Sequence, residues 1–414
     1  MKESLLKPAD ILVPDNIPIS LWSVVACDQY TSQPEYWEHV RKTVGTSPSA
    51  YHLVYPEVYL KNTDPVHYTQ SINDTMARYL DEGVLRCIPQ SYLLVQRALR
   101  SGSCRWGLMA ALDLEQYDYH PGSHSRIRAT EGTVAERIPP RVAIRKDAPL
   151  ELPHVMVLID DPNDTVLGHL KAAAHNGEDR LTLQYEGELM EQSGAVCGWS
   201  LGDDAAAELE AAVAKLPAPD GMVFAMGDGN HSLATAKECF EELKKAMPQQ
   251  EWEHHPARYA LVEIVNLYDE SLEFEPIHRV MTKVNPQHLL ESLMTRLDAS
   301  TTAYEGAQCI TICTKDQEQR IYFSNPSSPL EVGVLQPILD EYLASNGGEI
   351  DYIHGDDVVR SLSMAEDAIG FLLPPMDKSL LFPAVVAEGV LPRKTFSMGN
   401  AEDKRFYLEC RKIK

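Results

Sequence analysis

The segment GMVFAMGDGNHSLATAKECFEELKKAMP, residues 221–248, constrains the fold of this chain more than any other. MVFAM is an apolar run of the length of a short buried strand. The apolar residues that follow, Leu233, Ala236, Phe240, Leu243 and Met247, fall at steps of 3, 4, 3 and 4. That spacing lays one stripe along one side of a helix, so the helix packs on a core. Between the two, GDGNHS is a tight polar turn, and Pro248 closes the helix. A strand, a short turn and a helix point to an α/β fold. The first amides of such a helix have no intrahelical acceptors, so they face whatever anion sits there. Asp228 reads either as an Asx turn or as a metal carboxylate, and Gly229 relieves the backbone. The plainer alternative is that Asn230 or Ser232 merely caps the helix.

The rest of the chain supplies strands and helices around this unit. LPHVMVLIDDP is a buried strand ended by Asp160, Asp161 and Pro162, and RYALVEIVNLYDESLEFEPIHRV is a long strand, a turn and a short strand ending in His278 and Arg279. IPQSYLLVQRAL and RWGLMAALDL look like paired strands, and helices are predicted over PEYWEHVRKTV, 65–82 and 203–216. LWSVVACDQY reads as a strand that stops at a polar cluster of Asp28, Tyr30, Thr31 and Ser32. In the last third, CITIC and RIYF make a hairpin, Pro337 to Leu343 a short helix, and His354 lies in a Gly–Asp loop. Lys394 and Thr395 precede a Gly–Asn turn, with Lys404 and Arg405 after it. A chain of 414 residues has room for two or three domains. The expected architecture is α/β with mixed sheets: an N-terminal block over 1–118, a central block over 119–290 with the GDGNHS turn, and an α+β block over 291–414.

Charge narrows the function classes. The chain carries 37 Lys and Arg against 61 Asp and Glu, a formal net charge of −24. A surface that acidic repels phosphate backbones and anionic lipid, so neither nucleic acid nor membrane is the expected partner. Residues 126–146 run the other way, with Arg126, Arg128, Arg137, Arg141, Arg145 and Lys146 against Glu131 and Glu136. This concentration is the best candidate for an anion site; the alternative is that these cations pair with surface carboxylates, at about 0–1 kcal/mol each. The opening MKESLLKPADILVP holds no apolar core of signal-peptide length and no run is long enough to span a membrane, so a cytoplasmic protein is expected.

Several familiar chemistries lack their residues. The close cysteine pair, Cys309 and Cys313, lies in an alternating strand, which sets the two about 13 Å apart. With no C-x-x-C or H-E-x-x-H spacing, no structural zinc is expected. GWSLG at 198–202 has the letters of a hydrolase elbow, but the stretch before it is polar and Gly-broken, so Ser200 reads as a loop residue. Neither a Walker A loop nor G-x-G-x-x-G occurs.

Taken together, CDQY at 27–30, TEGT at 130–133, GDGNHS at 227–232, PIHR at 276–279, YIHG at 352–355 and PRKT at 392–395 resemble, in order and spacing, the DUF1015 family. That family carries an Ala-Asp-Gly-His-His-Arg signature at the third of these places. Asn230 stands where the family has a His, Ser232 where it has an Arg, and Thr130 where a His precedes Glu131. Ser232 donates a hydroxyl but no charge, so a nearby Arg would have to substitute. The signature is in turn similar to the turn of ParB-like nucleotide-binding folds, whose branches include free L-serine kinases and CTP-hydrolysing DNA-partitioning proteins. The resemblance implies a central ParB-like strand–turn–helix unit holding nucleotide phosphates, and fold alone does not fix function.

On this reading the chain is a small-molecule kinase that transfers phosphate from ATP, or another nucleotide, to a free hydroxyl compound such as L-serine. Asp228 would hold Mg²⁺ or orient the acceptor, and His231 with the amides of 230–232 would contact phosphate. Glu131 would be the base, and Arg126, Arg128, Arg279 and Lys394 would bind the phosphates together with Gly229, Asn230 and Ser232. Three alternatives stand beside it: a nucleotide-binding regulator without catalysis, a phosphate-releasing hydrolase, and a capped turn that binds nothing.

Overall fold

The strand–turn–helix unit around GDGNHS is present, and its strand lies in a ten-stranded mixed sheet. The computed structural model describes residues 4–60, 63–133, 138–324, 327–399 and 401–414; Glu136 and Arg137 of the basic segment lie outside them. In chain order the sheet comprises β1 (Leu6–Lys7), β2 (Leu93–Ala98), β3 (Cys104–Asp113), β4 (Tyr117–Asp118) and β5 (Ile127–Arg128). It continues with β6 (Met156–Ile159), β7 (Leu181–Glu188), β8 (Ala195–Leu201), β9 (Phe224–Asp228) and β10 (Tyr259–Asn266). The spatial order is β7-β8-β2-β3-β10-β6-β9-β5-β4, with β1 also paired to β3. Strands from both sides of residue 118 therefore share one sheet.

The central strands are buried on both faces, which is why they read as apolar runs rather than alternating ones. Leu108, Ala110 and Leu112 of β3, with Val262 and Ile264 of β10, enter one core. Met109, Ala111 and Leu261 enter the other, across the sheet. The first core takes the stripe of α1 (Asn230–Ala246), including Leu233, Ala236 and Phe240.

Two strand pairings and one hydrogen bond decide what lies at the end of β9. β6 runs antiparallel to β9, with Met156 opposite Asp228, so His154 and Val155 approach the turn. β5 runs parallel to β9, with Arg128 opposite Ala225, so the chain beyond it arrives at the same end. The Thr130 hydroxyl marks that arrival by donating to the Met226 carbonyl at 2.8 Å.

The chain divides into two compact units, residues 1–272 with 400–414, and residues 273–399. The second is built on a five-stranded antiparallel sheet, in which His278–Thr282 lies between the edge strand Glu349–Ile353 and the central strand Ile369–Leu372.

Four expectations need correction. LWSVVACDQY is a short helix, Ile19–Trp22, and a two-residue strand, Val24–Val25, before the polar turn. Ser200 is a strand residue of β8, paired on both sides, because backbone pairing overrides the polar character of this stretch. His278 and Arg279 open a strand instead of ending one. The predicted short helix is the longer Glu331–Asn346, with Pro337 inside it. An interior proline costs about 3 kcal/mol, and burial of Leu335, Ile338, Leu339 and Tyr342 along the same helix offsets it.

Candidate functional site

The polar turn is tighter than its letters suggest. β9 runs to Asp228 and α1 starts at Asn230, so Gly229 alone makes the turn, at φ 78°. That left-handed conformation favours glycine, and a Cβ at Gly229 would stand 3.0 Å from the Val155 Cα, so the position is doubly restricted. No side chain caps α1 at Gly229 and no acidic residue lies in its first turn. The helix thus presents the amides that follow Gly229, and the positive end of its dipole.

Four segments meet around this end. Asp228 accepts the Gly229 amide through Oδ1 at 2.8 Å, and its Oδ2 lies 3.2 Å from Lys404 Nζ. Ser232 Oγ is 3.1 Å from His154 Nε2, and His154 Nδ1 is 2.7 Å from the Tyr407 hydroxyl. That hydroxyl donates to the Cys27 sulfur at 3.1 Å and accepts the Cys27 amide at 3.3 Å. Beside Cys27, burial raises the Asp28 pKa, but His154, the Gln29 amide and Lys404 outweigh it and hold the carboxyl below its ordinary range. Burial, followed by the charge of Asp28, pushes the Cys27 thiol up to about 12, so it stays protonated. Asn230 Oδ1 is shielded from solvent and has no hydrogen-bond partner among the described residues.

The basic segment is only partly drawn to this place. Arg128 is buried, and its guanidinium donates to the Ser125 carbonyl at 2.9 Å and to Asp220, Oδ2 at 2.9 Å and main-chain oxygen at 2.5 Å. Burial draws the Arg126 pKa down. Arg141 pairs with Glu57, and Arg145 with Glu151 at 2.5 Å. Glu131 follows Thr130 at the turn's end of the sheet. In the second unit, Arg279 is fully buried and donates to Gln336 at 3.0 Å, to the Ile277 carbonyl and to the Arg393 carbonyl at 3.1 Å. Burial pulls its pKa down to about 10. Lys394 takes a left-handed backbone at φ 58°.

Comparison with known proteins fixes the family. The family model described as "Protein of unknown function (DUF1015)" matches residues 7–343. The chain belongs to the DUF1015 family. Among solved structures, a C-terminally truncated SbnI from Staphylococcus aureus aligns at 10% identity and TM-score 0.38, over 72% of this chain and 85% of its own. A free serine kinase in complex with AMP aligns at 11% identity and TM-score 0.36, over 72% and 92%. A conserved hypothetical protein from Pyrococcus furiosus gives 11%, 0.34, 72% and 97%. No curated protein matches.

The DUF1015 segments CDQY, TEGT and GDGNHS all belong to the first unit; PIHR, YIHG and PRKT belong to the second. His154 and Tyr407 lie outside all six segments, and sequence reading missed them. Their only signal is register: Met156 opposite Asp228 brings His154 to the turn, and a strand pair of Tyr407 with Val24 brings its ring beside Cys27. No helix of the described residues is long and apolar enough to cross a membrane.

Proposed function

We propose that this site transfers a phosphoryl group from a nucleotide, with ATP and Mg²⁺ as the working pair, to the hydroxyl of a small molecule. Free L-serine is the first acceptor to test. The observation that carries the reading is the uncapped start of α1, flanked by the Asp228–Lys404 pair and the unpartnered Asn230 Oδ1. Phosphoryl transfer needs phosphate cradling, charge neutralisation and a positioned base, and little else from a protein.

The amides of Asn230, His231 and Ser232 would take phosphate oxygens, with Gly229 small enough to admit them. Lys404 would supply the charge that the family's arginine gives at the Ser232 position; Arg126 lies level with Val223, at the far end of β9, and takes no part. Asp228 and Asn230 Oδ1 are oxygen ligands of the kind Mg²⁺ accepts, since it is usually held by one or two carboxylates plus substrate phosphates. When bound, Mg²⁺ would neutralise charge on the transferring group. Glu131 or Asp28 would receive the acceptor's proton, Asp28 being kept ionised by its neighbours. The ParB-like description of residues 119–290 belongs to this proposal as well.

Purified protein given Mg-ATP and a pool of hydroxyl metabolites is expected to yield ADP and one new phosphorylated product, read by mass spectrometry. Asp228→Asn should reduce turnover at least about 100-fold while leaving the melting temperature within a few degrees. Unchanged turnover in that variant sinks the assignment. The Asp228–Lys404 pair also supports a second reading, a nucleotide-binding regulator without chemistry, because the carboxylate already has a cation. That reading predicts nucleotide-dependent stabilisation with no ADP.

A further inference from the structure

Directly beside the start of α1 lies a cavity of about 190 Å³. Ser232, His154, Tyr407 and Cys27 line part of it. Most of its remaining wall is apolar, from Leu53, Tyr55, Leu60, Met76, Ile144 and Leu261. Each charged group in the wall already has a partner, Arg141 with Glu57 and Arg145 with Glu151, which Arg411 shares, and Thr235 spends its hydroxyl on the His231 carbonyl. A wall of this kind has no charged group left over to engage a charged ligand. A free amino acid, with an ammonium and a carboxylate to desolvate, fits it poorly. For scale, a dry cavity of about 150 Å³ accepts benzene.

The polar part has a defined donor pattern. The Tyr407 hydroxyl has one proton and gives it to the Cys27 sulfur, while its oxygen accepts the Cys27 amide. The remaining short contact, to His154 Nδ1, is then made by an N–H on that nitrogen. This tautomer is an assignment, one of two the network admits, and leaves Nε2 as an acceptor, facing a hydroxyl at 3.1 Å, that of Ser232. Nε2 is therefore placed to accept a proton from a hydroxyl that enters the cavity.

We infer that this cavity is the acceptor site and that the acceptor is a neutral alcohol with an apolar body about the size of a phenyl ring, its hydroxyl directed at His154. The inference rests on the phosphoryl-transfer reading above, replaces serine with a different substrate class, and makes His154 the base in place of Glu131 or Asp28. In the step, the acceptor oxygen forms a bond to the γ-phosphorus as the bond from that phosphorus to the β,γ-bridging oxygen breaks. The bridging electron pair leaves with ADP. The acceptor's proton passes to His154 Nε2 and from there to water, and the Ser232 hydroxyl is released to donate to the phosphate.

The test uses the full chain with 2-phenylethanol and L-serine as separate probes, measuring ADP release and melting temperature with and without Mg-ATP. The expected result is ADP formation and a melting shift with 2-phenylethanol, and neither with serine. Ile144→Trp, which narrows the cavity from a half-buried helix position, should raise the alcohol's KM at least about tenfold and leave nucleotide-induced stabilisation unchanged. Ala236→Phe fills the same space and serves if the first variant misfolds. His154→Ala should lower kcat about 100-fold with KM little changed, and it should remove a pH-dependent limb of the kcat profile. Serine-dependent ADP without any response to 2-phenylethanol would overturn the acceptor assignment and leave the kinase reading standing. A melting shift by the alcohol that Ile144→Trp abolishes, with no ADP from any acceptor, would support the cavity's ligand class and overturn the kinase reading instead. No response to the alcohol in either measurement overturns the inference.

Discussion

Lys404 and Arg405 are neighbours in sequence, and they end in two different electrostatic environments. Arg405 enters a buried network under the large sheet, where it meets Glu263 and, at 2.5 Å, Glu409. Arg105 stands 3.9 Å from Glu263, and Tyr185 donates to Glu409. Arg97, buried beside them, spends its donors on main-chain carbonyls of residues 402–404. Burial, then the charge of Arg105, pulls the Arg97 pKa down to about 9, which still leaves it charged at neutral pH. Lys404 faces the other way, to the half-buried Asp228 at the start of α1. The first environment is closed and ties the 401–414 segment to the sheet. The second is open, with a helix end and an acceptor oxygen awaiting partners. The closed network places the open one, since it holds the backbone that carries Lys404 and Tyr407.

This comparison breaks most severely at Glu263. Its carboxylate sits against Gly107, where a Cβ would come within 2.2 Å of Oε1, so the site is shaped around the charge. Glu263→Ala leaves Arg105 without its carboxylate and Arg405 with Glu409 alone, in a low-dielectric interior. Removing one partner of a buried pair costs about 3–5 kcal/mol. Urea unfolding should show a loss of that size, and any nucleotide-induced stabilisation should weaken with it as the 401–414 segment detaches. A loss below about 1 kcal/mol would mean that water reaches this network and that it is not closed.

The open environment is expected to respond differently. Gly229→Ala forces an L side chain into the left-handed region, at about 1–2 kcal/mol, and against Val155. Its stability loss should therefore be the smaller of the two, while its loss of nucleotide-induced melting shift should be complete. If the shift survives in Gly229→Ala, the turn does not carry the phosphates.

How far the sequence reveals these two environments depends on whether a contact is local. The strand, turn and helix over 221–248 are legible because their periodicity is contained in one segment, and Asp228, Gly229 and Asn230 come with it. The helices at Pro34–Val44 and Pro65–Asp81 are legible for the same reason, each opening on a proline. His154 and Tyr407 are not, because an antiparallel register and a two-residue strand pair deliver them, and neither leaves a period to read. The basic run 126–146 misleads as a single anion site. Its members are sorted after folding by depth, so that Arg128 braces Asp220 while Arg141 and Arg145 pair with Glu57 and Glu151. Likewise, nothing in the letters Lys404–Arg405 says which side chain is buried. That is set by the strand neighbours that bring Glu263 beneath one of them.

Asp28 gives the mildest of these tests, and it is one of sign. Its folded pKa is lowered: burial opposes ionisation, but His154, Gln29 and Lys404 more than offset it. A carboxyl ordinarily titrates near pH 4 when unfolded. The contribution of Asp28 to stability is then fully present above that value and is lost as pH falls through the lower, folded pKa. Wild type and Asp28→Asn should differ in urea midpoint above about pH 5. The gap should close as the pH is taken down towards about 3. A gap unchanged at the acid end would show that the carboxylate is held by shape alone and that Lys404 and His154 do not act on it. A gap that closes would place Asp28 in the same charged cluster as Asp228, ionised and available to take a proton at neutral pH.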